Sequence, residues 1–268
     1  MSSVKDRPVA YGFVGAGEIT AAIVKGLSAD AAGPPAIFLS PRGRRIGHDL
    51  ASLFPNVRVC DSNQDVLDNA TTILLAVRPP ITRAVLEDLS FRPEHVVISA
   101  VAGVRLERLR DWAAPAGHIL RAVPLPQADR RQSLTVMFPD HTVGHALFRR
   151  VGDVLMASDE ETFDAFSAAT ATFAAHLDYL NTIAHWLTDH GVDDPTATAY
   201  TAHIFGQLGH ALLQHTDTLT TLTDKHMTPG GNNEQLMSDL RRAGVPDIVR
   251  SALDRILDRL RTHDPVAQ

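Results

Sequence analysis

Up to about residue 158, the chain alternates short apolar runs with segments that are apolar at every third or fourth position. The second spacing, seen in Ile81–Leu89 and Arg105–Ala113, predicts helices. The apolar runs have the length of buried strands and predict a mostly parallel sheet, whose more closely spaced last strands are expected in mixed orientation. These predicted strands are Val9–Val14, Ala36–Ser40, Val57–Cys60, Thr72–Val77, His95–Ala100, His118–Val123, Leu134–Phe138 and Asp153–Met156.

From Glu160 onward the strand pattern disappears and the apolar spacing is helical. The predicted helices are Thr162–His190, ended by Gly191, then Pro195–His215, and two more that begin at Asn233 and Pro246. We therefore expect an α/β domain with a doubly wound sheet in residues 1–158 and an all-α domain in residues 159–268. Gly206 and Gly209 form a small-residue face on which another helix could pack, so we expect a homodimer or higher homo-oligomer through the helical domain.

Two closely spaced glycines follow the first predicted strand. Gly15 permits a tight turn, and Gly17 lets backbone N–H groups approach a pyrophosphate at the start of the next helix. The third glycine of the usual pattern is replaced by Thr20. We expect a Rossmann-type dinucleotide site here, although a purely structural turn is the alternative. The cofactor-binding residues expected in this turn are Gly15, Ala16, Gly17, Glu18 and Ile19.

The residues after the second strand indicate which dinucleotide is bound. An NAD site carries Asp or Glu at this point, whereas this chain has Ser40, Arg42, Arg44 and Arg45. A hydroxyl and three guanidinium groups suit a 2′-phosphate, so we expect NADPH to be preferred over NADH. A solvated basic loop is the alternative.

Two further strand ends are expected at the same edge, because open parallel sheets bind ligands outside the carboxyl ends of their strands. The residues expected near the nicotinamide are Val77, Arg78, Pro79, Ala102 and Gly103, and ordinary turns remain the alternative. The prolines of Arg121–Pro126 make that segment rigid and extended, and we expect Pro124 to form a wall of the substrate pocket.

The most distinctive motif of the helical half is the turn Thr228–Asn233, which leads into a predicted helix. Thr, two glycines and two asparagines leave backbone N–H groups available for a carboxylate, although a capped helix start is the alternative. We expect Thr228 and Asn233 to bond the substrate, and Gly230, Gly231 and Asn232 to hold its carboxylate.

Composition excludes several classes of partner. A net charge of −6 gives no general attraction to nucleic acid or to an anionic membrane. No apolar stretch has transmembrane length, and the N-terminus lacks the apolar region of a signal peptide. The single cysteine, Cys60, fits a reducing cytoplasm. His210 and His215 are five residues apart and do not share a helix face, so we expect no metal site.

Six motifs occur in the order found in one family: Gly15–Ile19, Ser40 with Arg42, Ala76–Pro79, Ala102–Gly103, Arg121–Pro124 and Thr228–Gly231. Together they resemble pyrroline-5-carboxylate reductase over nearly the whole chain. The resemblance implies a Rossmann domain, a helical dimerisation domain and an active site between them. It also implies hydride transfer from NAD(P)H to a cyclic imine that carries a carboxylate, the last step of proline synthesis.

The substrate half departs from the family pattern. Ala169–Phe173 replaces a Ser-Gly-Pro-Ala-Tyr-like segment, Leu125 replaces Asn, and Asn232 and Asn233 follow the glycines in place of a small residue and Thr. An acidic residue often found before this element corresponds to Thr216. We therefore expect a divergent paralogue that reduces a different imine.

Two alternatives remain open. A β-hydroxyacid dehydrogenase would share the two-domain plan but needs a catalytic lysine in a core helix, whereas Lys225, the only lysine of the helical half, precedes the Pro-Gly-Gly turn. A non-catalytic NADP-binding sensor or scaffold would explain the altered substrate residues.

Overall fold

The computed structural model describes residues 10–30, 33–214 and 217–262. Contacts between residues divide the chain into two compact units. The first contains the chain up to Ala168 together with the residues from Leu257 onward, and the second contains Ala169–Ile256. The domain boundary expected between residues 158 and 159 stays a prediction.

The first unit is built on an eight-stranded mixed sheet of the predicted Rossmann-like type, with order β3-β2-β1-β4-β5-β6-β7-β8. The first six strands are parallel, β7 is antiparallel to β6, and β8 is parallel to β7. The mixed orientation expected for the last strands is confirmed. The strands are β1 Ala10–Val14, β2 Ala36–Leu39, β3 Val57–Val59, β4 Thr72–Leu75, β5 Val96–Ser99, β6 His118–Val123, β7 Ser133–Phe138 and β8 Gly152–Met156.

Helices cover both faces of this sheet. The α-helices are α1 Glu18–Ser28, α2 Arg44–Leu53, α3 Asn63–Asn69, α4 Thr82–Glu87, α5 Leu106–Trp112, α6 Thr142–Phe148 and α7 Glu160–Ala169. Short 3-10 helices occur at Pro79–Ile81 and Pro126–Arg130. Because successive strand residues point to opposite faces, Phe13 enters the core formed with α1, α2 and α6, and Val14 enters the core formed with α3, α4 and α5.

The remaining helices are α8 Thr172–Asp189, α9 Asp194–Gln214, α10 Leu219–Lys225, α11 Asn232–Arg242 and α12 Val245–Thr262. The single helix predicted over Thr162–His190 is wrong, because the chain turns at Thr170 and Ala171 between α7 and α8. Threonine hydroxyls compete for backbone bonding, and Thr172 Oγ1 donates to the Ala169 carbonyl at 2.8 Å. Gly191 takes φ +93° and stops α8 as expected, whereas His215 and Thr216 lie outside the described residues.

The second unit leaves large apolar side chains exposed on its helices. The most exposed of them are Leu177, Trp186, Tyr200, Leu213, Leu219 and Ile248. Nothing in the described chain lies within 4 Å of a Cβ built on Gly206 or Gly209. In the described residues, no helix has the length and apolarity needed to cross a membrane, and no group of three or more His, Cys, Asp or Glu side chains is arranged to hold a metal ion.

Candidate functional site

The residues expected to bind the cofactor follow β1, β2, β4 and β5. These four strands are parallel neighbours, so their carboxyl ends meet at one edge of the sheet. In an open parallel sheet, this edge is where ligands bind. The structure therefore brings the glycine turn, the basic loop and the turns after β4 and β5 to one edge.

Gly15 is required by the fold itself. Its φ of +104° lies in the left-handed region, and a Cβ at this position would collide with the Ala76 carbonyl that follows β4. The Gly15 N–H donates to Ser40 Oγ at 2.9 Å, and Thr20 Oγ1 donates to the Gly15 carbonyl at 2.7 Å. Thr20, which replaces the third glycine, is buried and ties the turn to the first turn of α1.

Gly17 is free of any such constraint. Its φ is −98°, a value open to any residue, and no atom of the described chain lies within 4 Å of a Cβ built there. Gly17 is the N-cap of α1 and has no side chain with which to cap the helix start. The first N–H groups of α1 therefore face open space with the positive end of the helix dipole, which is the cradle that a pyrophosphate requires.

Ser40 and the arginines of the basic loop have different environments. Ser40 is 1% exposed and supports the Gly15 turn. Arg42 and Arg45 are exposed, and in the described part of the chain no carboxylate lies within 4.0 Å of either guanidinium. The backbone of Arg44 begins α2, but its side chain lies outside the described residues. Two cations without acidic partners can accept a phosphate without first breaking an ion pair.

Sequence reasoning did not single out Gly43, which joins the basic loop to the glycine turn. Its φ is +89°, and a Cβ there would collide with the Ala16 carbonyl. The backbones of the first and second strand-to-helix turns therefore touch. No sequence pattern reports this contact, because it joins residues that are far apart in the chain.

The turns after β4 and β5 complete the edge. Val77 and Pro79 are partly buried, and Arg78 is exposed while its carbonyl accepts from Thr82 Oγ1 at 3.2 Å. Ala102 is exposed, and Gly103 takes φ +74° in the turn before α5.

A cavity of about 310 Å³ opens beside the first turns of α1. It is lined by Glu18, Ile19, Ala21, Ala22, Lys25, Pro126 and Asp129. Two of the expected cofactor residues thus share a cavity with the 3-10 helix after β6. Pro124, expected as a pocket wall, is itself buried.

In the second unit, the turn before α11 is largely closed by its own hydrogen bonds. The Gly231 N–H donates to the Thr228 carbonyl at 2.8 Å, and the Gly230 N–H donates to Glu234 Oε2 at 2.6 Å. The amide of Asn233 donates to the His226 carbonyl at 3.0 Å. The Glu234 carboxylate therefore accepts the N–H of Gly230, which was one of the donors expected to hold the substrate carboxylate. The N–H groups of the first turn of α11 remain for a ligand.

An apolar cavity of about 520 Å³ lies next to this turn, within the second unit. Asn233 and His226 belong to its lining, whose other members are Leu208, Ala211, Leu212, Leu219, Leu222, Thr223, Met227 and Met237. The turn therefore combines polar groups with an apolar surface, as small-molecule sites do.

Comparison with known proteins identifies related families for both parts of the chain. Residues 10–103 match the family described as NADP oxidoreductase coenzyme F420-dependent, and residues 160–263 match pyrroline-5-carboxylate reductase dimerisation. The pyrroline-5-carboxylate reductase of Pseudomonas aeruginosa is 24% identical over 92% of this chain and 94% of its own length. The Pisum sativum enzyme of the same name is 25% identical over 90% and 91%, respectively.

Solved structures show the same fold. A 1-pyrroline-5-carboxylate reductase from Streptococcus pyogenes superposes with a TM-score of 0.80 at 24% identity, covering 94% of this chain and 98% of that one. A Plasmodium falciparum pyrroline carboxylate reductase with NADP bound gives a TM-score of 0.79 at 14% identity, covering 96% and 98%.

Replacing Gly17 with Ala tests whether the open space at the start of α1 serves a ligand. We expect Gly17→Ala to weaken NADPH binding at least about tenfold, while the free energy of unfolding changes by no more than about 1 kcal/mol. Fluorescence titration and thermal unfolding measure the two effects. Gly15→Ala is the matched control, and it should destabilise the fold because of its positive φ. Unchanged NADPH binding in folded Gly17→Ala would rule out the pyrophosphate site.

Proposed function

Because the chain belongs to the pyrroline-5-carboxylate reductase family, we propose that it is an NADPH-dependent oxidoreductase that reduces the C=N bond of a cyclic imine carboxylate. The observation that carries the proposal is the order of the two family matches, an oxidoreductase domain followed by the dimerisation domain of this reductase. The relatives support NAD(P)-dependent oxidoreductase activity, and the preference for NADPH and the choice of imine are our proposal.

The cofactor edge fits a dinucleotide at each of its parts. The Gly15–Gly17 turn and the first turn of α1 hold the pyrophosphate, and the turns at Val77–Pro79 and Ala102–Gly103 lie towards the nicotinamide. When bound, the reduced nicotinamide supplies a hydride to the imine carbon. The chain contributes orientation and electrostatics, and it needs no strong acid because small cyclic imines can take a proton from solvent.

The preference for NADPH is supported by Arg42 and Arg45. Both guanidinium groups are exposed at the end of β2, where an acidic residue would repel a phosphate, and both lack a carboxylate partner in the described part of the chain. Ser40 contributes indirectly, because its hydroxyl holds the Gly15 N–H and so fixes the turn beside the loop.

For the substrate, we propose that its carboxylate binds at the N-terminus of α11, with Thr228 and Asn233 as hydrogen-bond partners. Of the proposed carboxylate donors, Asn232 supplies an N–H of the first turn, whereas those of Gly230 and Gly231 are bonded within the chain. The charge of Glu234 beside this position disfavours a second carboxylate. Because Leu125, Asn232 and Asn233 depart from the family pattern, we expect weak activity, or none, with pyrroline-5-carboxylate itself.

We propose that the protein is a homodimer, or a multiple of one, formed through its helical domain. The exposed apolar side chains of the second unit and the open faces of Gly206 and Gly209 support this proposal. Large apolar side chains left exposed on a folded domain are typical of protein–protein interfaces when they gather into a patch. We place the activity in the cytoplasm, in keeping with the free and buried Cys60.

Steady-state NADPH oxidation with a panel of cyclic imines, with and without carboxylates, tests the function. Turnover of any cyclic imine supports the reductase. Oxidation of 3-hydroxy acids with NADP⁺ but no imine reduction would indicate a β-hydroxyacid dehydrogenase. NADPH binding without turnover of either class would indicate a sensor or scaffold.

Arg42→Ala should weaken the binding of NADPH about tenfold or more and leave NADH nearly unchanged. The physical reason is the loss of a charge-assisted bond to the 2′-phosphate, worth about 1.5–3 kcal/mol. Titration with both cofactors measures the effect. Arg110→Ala, on the exposed part of α5 that runs towards the opposite edge, is the control and should bind both cofactors normally. Equal weakening of both cofactors would contradict the 2′-phosphate assignment.

Gly206→Leu should dissociate the oligomer. In the described chain, nothing lies within 4 Å of a Cβ built at Gly206, and leucine improves helix propensity by about 1 kcal/mol, so we attribute a loss of association to a partner helix. Overpacking against that helix costs about 1–3 kcal/mol, and Gly206→Ala should have a smaller effect. Light scattering over a range of protein concentrations measures the oligomeric state. A stable, active monomer of the unmodified protein would refute the proposal.

Glu234→Gln should favour carboxylated imines. Removing the negative charge relieves a repulsion of about 1 kcal/mol, which corresponds to about a fivefold lower KM for pyrroline-5-carboxylate. The KM of uncharged 1-pyrroline should not change. Asp239→Asn, which removes a charge from the same helix, is the control and should leave both values unaltered. An equal KM change for both imines would argue against a carboxylate site at this turn.

A further inference from the structure

A network of charged side chains links α7 to β6 and α5 within the first unit. Glu160 Oε1 lies 2.9 Å from Arg121 Nη1 and accepts the Leu106 N–H at 2.8 Å. Asp164 Oδ1 lies 2.8 Å from the same Arg121 nitrogen. Arg105 Nη2 lies 3.3 Å from Glu160 Oε2. The Glu160 carboxylate thus contacts Arg121 of β6, the backbone N–H of Leu106 at the start of α5, and the side chain of Arg105.

The centre of this network is deeply buried. The side chains of Arg121 and Asp164 are 1% and 0% exposed, and the Arg121 guanidinium lies 4.4 Å from the centre of the Phe163 ring. Burial raises the pKa of Asp164, and the charge of Arg121 acts in the opposite direction. The Arg121 Nε and Nη2 atoms have no hydrogen-bond partner in the described chain, so the guanidinium depends on the two carboxylates and on the ring.

Glu160 contacts the chain where the turn that follows β5 leads into α5. The turn runs from Ala100 to Arg105 and includes Ala102 and Gly103, the residues expected near the nicotinamide. The side chains of Val101 and Val104 anchor this turn in the core, whereas Gly103 takes φ +74° and α5 has no side-chain cap from its N-cap residue Arg105. The Glu160 carboxylate supplies the missing acceptor for Leu106, the first residue of α5, and its charge suits the positive end of the helix.

We propose that Glu160 is a positioning residue for hydride transfer. Through its contacts with Leu106 and Arg121, it fixes the turn Ala100–Arg105 against β6. It thereby positions the backbone of Ala102 and Gly103, the residues expected near the nicotinamide. The inference rests on the proposed function. Glu160 touches neither cofactor nor substrate in this assignment and acts through the turn. The same carboxylate ties the first turn of α7 to β6.

Glu160→Ala and Glu160→Gln test this role, with Glu161→Gln as the matched control. Glu161 also pairs with Arg105, at 2.7 Å, but no contact joins it to Leu106 or Arg121 in the described residues. The readouts are kcat, the dissociation constant of NADPH and the isotope effect with NADPH deuterated at the transferred position. All are measured well below the unfolding midpoint of each variant.

We expect Glu160→Ala to lower kcat by about tenfold to a hundredfold, with a larger isotope effect and little change in NADPH binding, because hydride transfer depends on alignment to within an ångström. Glu160→Gln keeps an oxygen for the Leu106 N–H and should recover part of kcat. The Glu161→Gln control should match the unmodified protein. A fall in unfolding temperature with unchanged kcat and isotope effect would overturn the proposal.

Hydrogen–deuterium exchange keeps the proposal testable if no imine is reduced. Glu160→Ala should accelerate exchange at the amides of residues 101–106, whereas Glu161→Gln should not. Unchanged exchange in Glu160→Ala would overturn the proposal even if the enzyme is active. Absence of imine turnover by the unmodified protein would instead refute the proposed function, so the two failures are distinguishable.

Discussion

The candidate site depends on close contact between backbones at the carboxyl edge of the sheet. A Cβ on Gly15 would collide with the carbonyl of Ala76, and one on Gly43 would collide with that of Ala16. Because of these two contacts, the turn after β1 packs between the turn after β4 and the loop after β2. Ser40 and Thr20 then fix the turn through hydrogen bonds at 2.9 and 2.7 Å. With the turn held from both sides, the start of α1 can remain open at Gly17.

Binding and folding therefore make different demands on residues that look alike in the sequence. Gly15 and Gly43 take positive φ and touch backbone, so the fold requires glycine at both. Gly17 takes an ordinary φ beside empty space, so the fold leaves room there for an approaching ligand. The same distinction separates Ser40, which is buried and structural, from Arg42 and Arg45, which are exposed.

Charge is used in two ways in the first unit. At the carboxyl edge of the sheet, Arg42 and Arg45 are exposed and lack acidic partners in the described chain, which leaves them available to an anion. In the interior, Arg121 is paired with Glu160 and Asp164 because an isolated buried charge would be very costly. Loss of one member of such a pair generally costs about 3–5 kcal/mol, so the network has a structural value in addition to the positioning role proposed for Glu160.

The sequence by itself determined the fold class, because strand-length apolar runs and helical spacing report local burial. It also located the glycine turn, since that signal lies in contiguous residues, and the order of six short motifs indicated the family resemblance. It failed at the break between α7 and α8, where apolar spacing continues through Thr170 and Thr172 although the backbone turns. Only the tertiary structure showed that Gly43 meets Ala16, that Glu234 occupies the Gly230 N–H and that Glu160 joins α5 to Arg121. The first and last of these join residues distant in sequence, and the Glu234 contact depends on a side-chain orientation that spacing does not fix.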